Sequence, residues 1–244
     1  MNRLLHPIYK NKIDFVLENL DKSPKVILDA GCGDGTHLRV LRKNKKFEVW
    51  GVDVEKLADL PNVLCCSIEK MPFKDKKFDA VVCVDVLEHV DSPKKAIKEL
   101  NRVLKKGGQL ILTVPNYDFP ATYDPINAFL RLFGTHIPIG LWAWGHKRLF
   151  KKEQIEKLIS SNGFKIKKYE TRSFWFLALF VNYIPYLTVY VIKPVANLFG
   201  KGKDTVRTGR KSKIIKIYSK INDYDKKHMS SGNPINHCFL AKKK

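Results

Sequence analysis

The sequence lacks a C-x-x-C pair and a secretory signal, although it contains five cysteines. Without these features we expect reduced thiols rather than disulfides, in a protein of the cytoplasm. Internal repeats and low-complexity segments are also missing, so nothing interrupts the pattern of strands and helices. The cysteines are Cys32, Cys65, Cys66, Cys83 and Cys238.

Acidic residues are scarce, because 24 Asp and Glu stand against 45 Lys and Arg and the formal net charge is +21. A field of this sign attracts anions such as nucleic acid, acidic lipid or a phosphorylated substrate. Composition does not locate a binding face, so a lysine-rich surface without a particular partner fits the charge equally well. The apolar fraction of 44% predicts a globular protein with a buried core.

Short apolar runs alternate with amphipathic segments along the chain. Alternation on short connections predicts parallel strands joined by right-handed crossovers. We therefore predict an α/β fold, with a Rossmann-like, seven-stranded, mostly parallel sheet, helices on both faces and an apolar insertion before the last strand. The predicted strands cover 26–29, 47–53, 62–67, 78–84, 109–114, 164–170 and 237–241. The predicted helices cover 8–21, a segment through Leu38, Val40 and Leu41, 93–104 (ending at K-K-G-G, 105–108) and 151–162.

A glycine-rich turn, D-A-G-C-G-D-G at 29–35, follows the first predicted strand. Glycines let the backbone approach a ligand closely, and dinucleotide-binding proteins have a similar turn at this place. The carboxylates of Asp29 and Asp34 would repel a pyrophosphate but suit S-adenosylmethionine, which carries an ammonium and a sulfonium. Asp53 ends the second strand at the same sheet edge, where a carboxylate can accept both ribose hydroxyls. These residues predict a site for S-adenosylmethionine.

Several motifs occur in the order found in the type 11 class I S-adenosylmethionine-dependent methyltransferases, which include ubiquinone-biosynthesis-like enzymes. The chain resembles this family over residues 24–172. The motifs are V-I-L-D-A-G-C-G-D-G (26–35), V-W-G-V-D (49–53), M-P-F-K-D-K-K-F-D (71–79), V-L-E-H-V (86–90), R-V-L-K-K-G-G-Q-L (102–110), H-K-R-L-F-K-K-E-Q (146–154) and S-N-G-F (161–164).

The resemblance implies a set of cofactor contacts. It places backbone contacts to the methionine moiety at Gly31 and Gly33, ribose contacts at Asp53, and adenine stacking near Val54 and Ile68. Many relatives have an acid near the adenine amine where this chain has Ser67, whose hydroxyl is a weaker acceptor than a carboxylate. The expected cofactor-binding residues are Asp29, Gly31, Cys32, Gly33, Asp53, Val54, Ser67, Ile68 and Asp85.

The loop after the fourth strand, D-V-L-E-H at 85–89, stands at the sheet edge where catalysis is expected. His89 is the expected catalytic residue, as base or substrate orienter, although a histidine that only holds the loop fits the sequence too. His136 and His146, in an aromatic segment, are further candidates to face the acceptor.

Ubiquinone-biosynthesis O-methyltransferases resemble the chain at the loop after the fourth strand, where two glutamates and a histidine hold a divalent ion. The matching set is Asp85, Glu88 and His89, but related chains have similar loops without metal and we assign none.

An apolar tract covers 174–199 and has no charged residue from Phe174 to Ile192. Its length suits a membrane span, but Pro185 interrupts it and a single span would separate the last strand from its sheet. A lid or hairpin in the membrane interface, with the basic stretch 201–228 on anionic headgroups, satisfies both facts, and burial in the core or in a dimer is the alternative.

The expected domains are a core at 1–172 with an aromatic substrate insert at 115–150, a lid or membrane-interface insertion at 173–228, and a closing strand within 229–244.

Three functions remain open at this stage. The first is methyl transfer to a hydrophobic or lipid-linked small molecule, by a cytoplasmic protein with peripheral contact to an anionic membrane. The second is RNA methylation, which the positive charge favours, although the chain lacks an Asn- or Asp-Pro-Pro-aromatic motif after the fourth strand. The third is a non-catalytic, membrane-bound binding module of the same fold, which the intact glycine turn and Asp53 disfavour.

Overall fold

A computed structural model describes residues 7–23, 25–55, 59–116, 127, 129–130, 132–135, 145–172, 220–221, 224 and 236–244. The chain divides into two compact units. One unit comprises Lys10–Asp118, Lys147–Arg172 and Asn236–Lys244 and contains the sheet described below. The other comprises Met1–Tyr9, Phe119–His146 and Ser173–Ile235. Among its described residues, the rings of Phe129 and Phe133 meet edge to face with centroids 5.4 Å apart.

Strands and helices alternate in the first unit, as the sequence pattern predicts. The fold class is confirmed as α/β with a seven-stranded sheet. The elements are α1 (Pro7–Asn19), β1 (Lys25–Ala30), α2 (Thr36–Leu41), β2 (Phe47–Asp53), β3 (Val63–Cys65), β4 (Phe78–Val84), α3 (Pro93–Val103), β5 (Leu104–Pro115), α4 (Lys152–Ser161), β6 (Phe164–Arg172) and β7 (Asn236–Lys243).

The sheet has the strand order β3-β2-β1-β4-β5-β7-β6. Strands β1 to β5 pair in parallel, and β7 runs antiparallel between β5 and β6. The order reverses beside β1, because the chain adds strands on one side through β3 and then continues on the other side with β4. Open α/β sheets bind their ligands at such a switch point, outside the carboxyl ends of the strands.

Two apolar layers cover the faces of the sheet. On one face, Phe15 and Val16 of α1 pack with strand residues such as Ile27 and Val82. On the other face, Leu100 of α3 belongs to a larger cluster that includes Leu28 and Val81. Neighbouring strand residues thus serve opposite layers, which explains why these strands are continuous apolar runs in the sequence.

The boundary between α3 and β5 differs from the prediction. The helix ends at Val103 rather than at 104, and β5 begins at Leu104 rather than at 109. Leu104 pairs with Phe78, and the register shifts before Ala80 pairs with Gln109. Gly107, with φ of 74°, therefore turns the backbone inside the strand segment instead of stopping the helix.

Several predicted segments lie outside the described residues. These are the apolar tract at 174–199, nearly all of the basic stretch, and most of the aromatic insert, so the predicted domain boundaries stay predictions. No helix in the described part of the chain is both long and apolar enough to cross a membrane.

Candidate functional site

The glycine turn after β1 has a backbone that side chains would not tolerate. Gly31, Gly33 and Gly35 all have positive φ, of 85°, 49° and 77°. A Cβ on Gly31 would lie 2.2 Å from a methyl carbon of Val86, so the loop after β4 packs directly on this glycine. The N–H of Gly31 donates to the Val52 carbonyl at 2.8 Å. A ligand contact from the backbone of Gly31 must therefore use its carbonyl.

Cys32 belongs to the core rather than to the ligand-facing side of the turn. Its side chain is buried in the layer formed by α1 and α2, and its N–H donates to the Val52 carbonyl at 3.0 Å. Burial, together with the negative charge of Asp29, raises the pKa of the Cys32 thiol to about 12. The expected cofactor contact from Cys32 is therefore not visible in the geometry of its side chain or of its N–H.

Asp53 stands at the end of β2 and holds the glycine turn. One carboxylate oxygen accepts the N–H of Gly33 at 2.8 Å, and the other accepts the N–H of Glu55 at 3.3 Å. Each oxygen of a carboxylate has a second lone pair that can take a ligand hydroxyl. The same side chain can therefore shape the turn and bind a ribose.

Asp29 lies beneath the turn in an unusual state for a carboxylate. It is fully buried, and among the described residues neither oxygen accepts a hydrogen bond. The imidazole of His37 lies beside it, with Nδ1 at 4.0 Å from Oδ1 of Asp29. Burial, assisted by the charge of Asp53, raises the pKa of Asp29 to about 8. A buried acid without partners next to an open turn is suited to a cationic ligand.

Asp34 has a local role in the turn. Its Oδ1 accepts both the N–H of Thr36 at 3.0 Å and the Thr36 hydroxyl at 2.7 Å. This carboxylate therefore orders the first residue of α2, and its negative charge stays beside the turn.

A cleft of about 420 Å³ opens at the carboxyl ends of β1, β2 and β4. It brings together most of the residues that the sequence singled out. Val54 is 68% exposed in it, whereas Ile68 is buried. The Ser67 hydroxyl accepts the N–H of Glu69 at 3.1 Å. The predicted residues that line the cleft are Gly31, Asp53, Val54, Ser67, Ile68, Asp85 and His89, while Asp29, Cys32 and Gly33 do not line it.

Asp85, the first residue after β4, is fixed by three hydrogen bonds. Its backbone has φ of 53°, an uncommon value for a residue with a side chain. Its N–H donates to the Thr113 carbonyl at 3.0 Å, and its Oδ1 accepts the Thr113 hydroxyl at 2.6 Å. Its Oδ2 accepts a hydrogen bond from the Lys12 ammonium. The start of the loop is therefore rigidly placed.

The rest of this loop is braced by the H-K-R-L-F motif. The N–H of His89 donates to the Val86 carbonyl at 3.0 Å, which closes a turn. The N–H of Lys147 donates to the Glu88 carbonyl at 2.9 Å, and the Arg148 guanidinium donates to the Val90 carbonyl. His89 is thus carried by a turn that the adjacent residues Lys147 and Arg148 hold at the cleft.

Sequence reasoning did not single out several residues at the site, among them Lys12, Val86 and Lys147. Lys12 is buried, although lysine is almost never fully buried unless it is paired. The helical spacing could have indicated this burial, because Lys12 lies four residues before Val16 and therefore on the apolar side of α1.

Two further histidine candidates were expected to face the acceptor. His136 lies outside the described residues, and His146 belongs to the other unit. Their expected contact with an acceptor stays a prediction.

A family model described as a methyltransferase domain matches residues 1–169 of the chain. The chain belongs to the methyltransferases. Its membership in the S-adenosylmethionine-dependent class, expected from the motifs, is confirmed.

Two curated relatives are similar to this methyltransferase. A ubiquinone biosynthesis O-methyltransferase of Coxiella burnetii is 31% identical over 129 residues, which are 48% of this chain and 55% of that protein. An uncharacterised protein of Methanocaldococcus jannaschii is 34% identical over 145 residues, which are 57% of this chain and 56% of that protein. The methyltransferase thus spans about half the length of these relatives.

The fold is also found in solved structures. A phosphoethanolamine N-methyltransferase of Haemonchus contortus, solved in complex with S-adenosylmethionine, superposes with a TM-score of 0.58 at 17% identity, covering 95% of this chain and 52% of that one. S-adenosylmethionine is the cofactor of this methyltransferase family, and the residues present fit it. The buried carboxylate of Asp29, which accepts no hydrogen bond among the described residues, matches a cationic ligand, and Gly31 and Asp53 line the cleft beside it.

Proposed function

We propose that this methyltransferase transfers the methyl group of S-adenosylmethionine to a hydrophobic or lipid-linked small molecule. The observation that carries the proposal is the cleft itself, which places the glycine turn, Asp53 and His89 around one cavity at the switch point of the sheet. The acceptor class is supported by the Coxiella burnetii relative, which is named for ubiquinone biosynthesis, and by the uncharged tract from Phe174 to Ile192.

The cofactor, when bound, supplies a methyl group on a sulfonium whose leaving group is a neutral thioether. The chain's own residues bind and orient it. Asp53 would accept the ribose hydroxyls, Val54 and Ile68 would contact the adenine, and Asp29 would offset the charge of the ammonium of the methionine moiety. Holding the acceptor in line with the methyl carbon supplies much of the rate enhancement, because it makes the displacement effectively a reaction within one complex.

His89 is the group that moves a proton in this proposal. His89 lines the same cleft as Gly31 and Asp85, on the turn closed by the Val86 carbonyl. A hydroxyl acceptor must lose its proton as its oxygen attacks the methyl carbon, and the imidazole of a histidine is suited to take it. A positioned general base of this kind contributes roughly 100- to 10,000-fold.

Methyl transfer to crude acceptor pools tests the proposal. The protein is incubated with S-adenosylmethionine tritiated in its methyl group, and with either a membrane lipid extract or total RNA. We expect label in the organic phase of the lipid reaction, loss of that label in Asp53→Ala, and retention in Asp59→Ala, an exposed acid outside the cleft. Label in RNA alone would refute the acceptor class and favour RNA methylation.

A further inference from the structure

Lysines are concentrated at the amino edge of the sheet, which is the edge opposite the cleft. The parallel strands begin there, and the antiparallel β7 ends there, with Lys242 paired to Gln109 of β5 and to Lys165 of β6. Six exposed lysines define this basic edge, and among the described residues their side chains form no ion pair or hydrogen bond: Lys45, Lys46, Lys76, Lys106, Lys165 and Lys242.

The acids described at this edge already have partners. Asp21, Asp75 and Asp79 each form an ion pair, at 2.6–3.2 Å, with a lysine or arginine that is not one of the six. The Glu48 carboxylate accepts the indole N–H of Trp50 at 2.7 Å. The charge of the six lysines is therefore not compensated, and like charges on one face repel one another. A bound anion would relieve this repulsion.

A depression of about 520 Å³ lies at one end of the basic edge, beside the start of β2. Its lining contains one acid and three cationic residues, Arg42, Lys45 and Lys46. One terminal nitrogen of the Arg42 guanidinium donates to the carbonyls of Val49 and Pro61, at 3.1 and 2.5 Å, which fixes the side chain. A guanidinium has five N–H donors, so three remain for a ligand, and such a group beside two lysines suits a phosphate.

The basic edge has the form of a row. Neighbouring strands lie about 4.8 Å apart, so the five steps from β2 to β6 in the strand order span roughly 24 Å. A nucleic acid strand is a linear polyanion with one phosphate per about 3.4 Å of helix axis, so roughly seven phosphates match the row. The six lysines and Arg42 supply a comparable number of cations.

The lining of the cleft has the opposite charge. It contains four acids, Asp53, Glu69, Asp85 and Asp91, and one lysine, Lys147, among the described residues. A polyanion is therefore attracted to the basic edge and not to the cleft. A nucleic acid held at this edge stays away from the site proposed for methyl transfer, so it is not the acceptor.

An anionic membrane is the competing occupant, and two observations favour nucleic acid over it. Elements that lie in a membrane interface combine basic residues with apolar ones that insert. None of the exposed large apolar side chains in the described part of the chain belongs to the segments that carry the six lysines. A membrane on this edge would also leave the cleft at the far ends of β2 and β4, roughly 23 Å away from the lipid.

We infer that the basic edge binds the phosphate backbone of a nucleic acid, as a docking surface separate from the cleft. Lysine contacts to phosphates carry no sequence information, so the binding does not depend on the bases. This inference goes beyond the proposed function. Its test measures binding without methyl transfer, so either conclusion can fail while the other stands.

The test compares wild type with two quadruple variants that remove the same charge from different faces. One replaces Lys45, Lys46, Lys76 and Lys106 by glutamine, and its matched control replaces four exposed lysines of α3 and α4, Lys94, Lys95, Lys98 and Lys157, by glutamine. Both should keep the Tm of wild type and its Kd for S-adenosylmethionine, because none of these lysines lines the cleft. Fluorescence anisotropy then gives the Kd of each protein for a labelled oligouridine long enough to cover the row, over a series of salt concentrations.

We expect the basic-edge variant to bind the RNA at least about tenfold more weakly than wild type, and the control variant to stay within about twofold. The slope of log Kd against log salt should fall by about 0.7 for each phosphate contact removed, hence by roughly 2–3 in the basic-edge variant.

Three results would overturn the inference. Equal losses in the two variants would show that binding follows net charge and not this edge. No RNA binding by wild type, or an unchanged Kd in the basic-edge variant, would show that the edge does not hold RNA. Loss of binding to anionic phosphatidylglycerol vesicles in the basic-edge variant, with RNA binding kept, would make the edge a membrane contact.

Discussion

Asp29 combines two properties at the scale of a single residue: its carboxylate is buried, and among the described residues it accepts no hydrogen bond. Such a group destabilises the free protein and becomes useful only when a cation binds. Under the glycine turn, the Asp29 carboxyl group is therefore expected to lower the stability of the cofactor-free protein and to raise its affinity for the cofactor.

Replacing Asp29 by asparagine should separate these two effects. Asp29→Asn replaces, at constant volume, a carboxyl group that the folded protein keeps protonated up to about pH 8 and the unfolded chain does not, so at neutral pH the cofactor-free protein should gain about 1–3 kcal/mol, or several degrees in Tm. The same change removes the counter-charge for an ammonium, so the Kd for S-adenosylmethionine should rise at least about tenfold. Calorimetry measures both; a lower Tm together with an unchanged Kd would show that Asp29 only supports the fold.

The gain from Asp29→Asn should depend on pH. The folded state raises the pKa of Asp29 from its ordinary value near 3.8 to about 8, so the folded protein holds the proton more tightly than the unfolded chain. The stability that comes from this proton is fully present below the unfolded pKa and is lost as pH rises to about 8. The Tm difference between variant and wild type should therefore be smallest near pH 4 and largest from about pH 8 upward. A difference that does not change with pH would contradict the assignment.

Gly31 is the second decisive residue, because its φ is 85° and Val86 occupies the space of a Cβ. Gly31→Ala should abolish detectable cofactor binding and cost about 1–3 kcal/mol of stability from backbone strain alone. Gly134→Ala is the control, since Gly134 has φ of 73° but nothing within 4 Å of its Cβ position. Equal effects of the two substitutions on cofactor binding would show that contact with Val86 is irrelevant.

At the scale of elements, two of the recognised motifs form one structural unit. Arg102 of α3 donates to the carbonyls of Met71 and Phe73 at 3.1 and 2.7 Å, and it pairs with Glu99 and Asp75. The segment that follows the cleft residue Ile68 is thereby tied to α3. The M-P-F-K-D and R-V-L-K-K motifs are therefore joined through Arg102 in this chain.

Arg102→Met should loosen this unit without touching the cleft directly. We expect a loss of about 1–3 kcal/mol in the free energy of unfolding, discounted for the partial exposure of the guanidinium. Lys98→Met, at an exposed position of the same helix, should have an effect within about 0.5 kcal/mol. Denaturant unfolding distinguishes the two, and equal midpoints would contradict a bracing role for Arg102.

Elements differ in how far the sequence predicted them. The bounds of β2 and β4 agree with the prediction at both ends, because buried parallel strands are continuous apolar runs with sharp ends. The predicted start of β5 at residue 109 was wrong by five residues, because the strand begins at Leu104. Glycines are uncommon inside strands, and here pairing with β4 keeps the segment in the sheet despite them. The burial of Lys12 was missed because it depends on a partner that is distant in the sequence, here Asp85.

At the scale of the whole molecule, the strand order places the carboxyl ends of β1, β2 and β4 at one edge of the sheet. Gly31, Asp53 and His89, which are distant in the sequence, therefore line one cleft. The glycine turn, Asp53 and the loop after β4 were predicted to meet there because topology rules leave few alternatives. The contact between Val86 and Gly31 depends on packing detail that no pattern contains.

Membrane contact is the prediction that belongs to the entire chain, through its +21 charge and the tract at 174–199. The intact protein should co-sediment with anionic vesicles and not with neutral ones, because each basic residue near an anionic surface contributes about 1 kcal/mol. Replacing 174–199 by a short polar linker should abolish sedimentation while cofactor binding is kept. No sedimentation of the intact protein would assign the tract to burial or to a dimer.

The binding of S-adenosylmethionine to the cleft is the central claim, and titration calorimetry of wild type against Asp53→Ala tests it most directly. Asp53 accepts the Gly33 N–H and stands at the end of β2, so its loss should remove ribose contacts and loosen the turn. We predict a measurable Kd for wild type and a loss of about 100-fold in Asp53→Ala, the equivalent of one strong charge-assisted hydrogen bond or two weaker ones. Equal affinities in the two proteins would place the cofactor elsewhere and contradict the account.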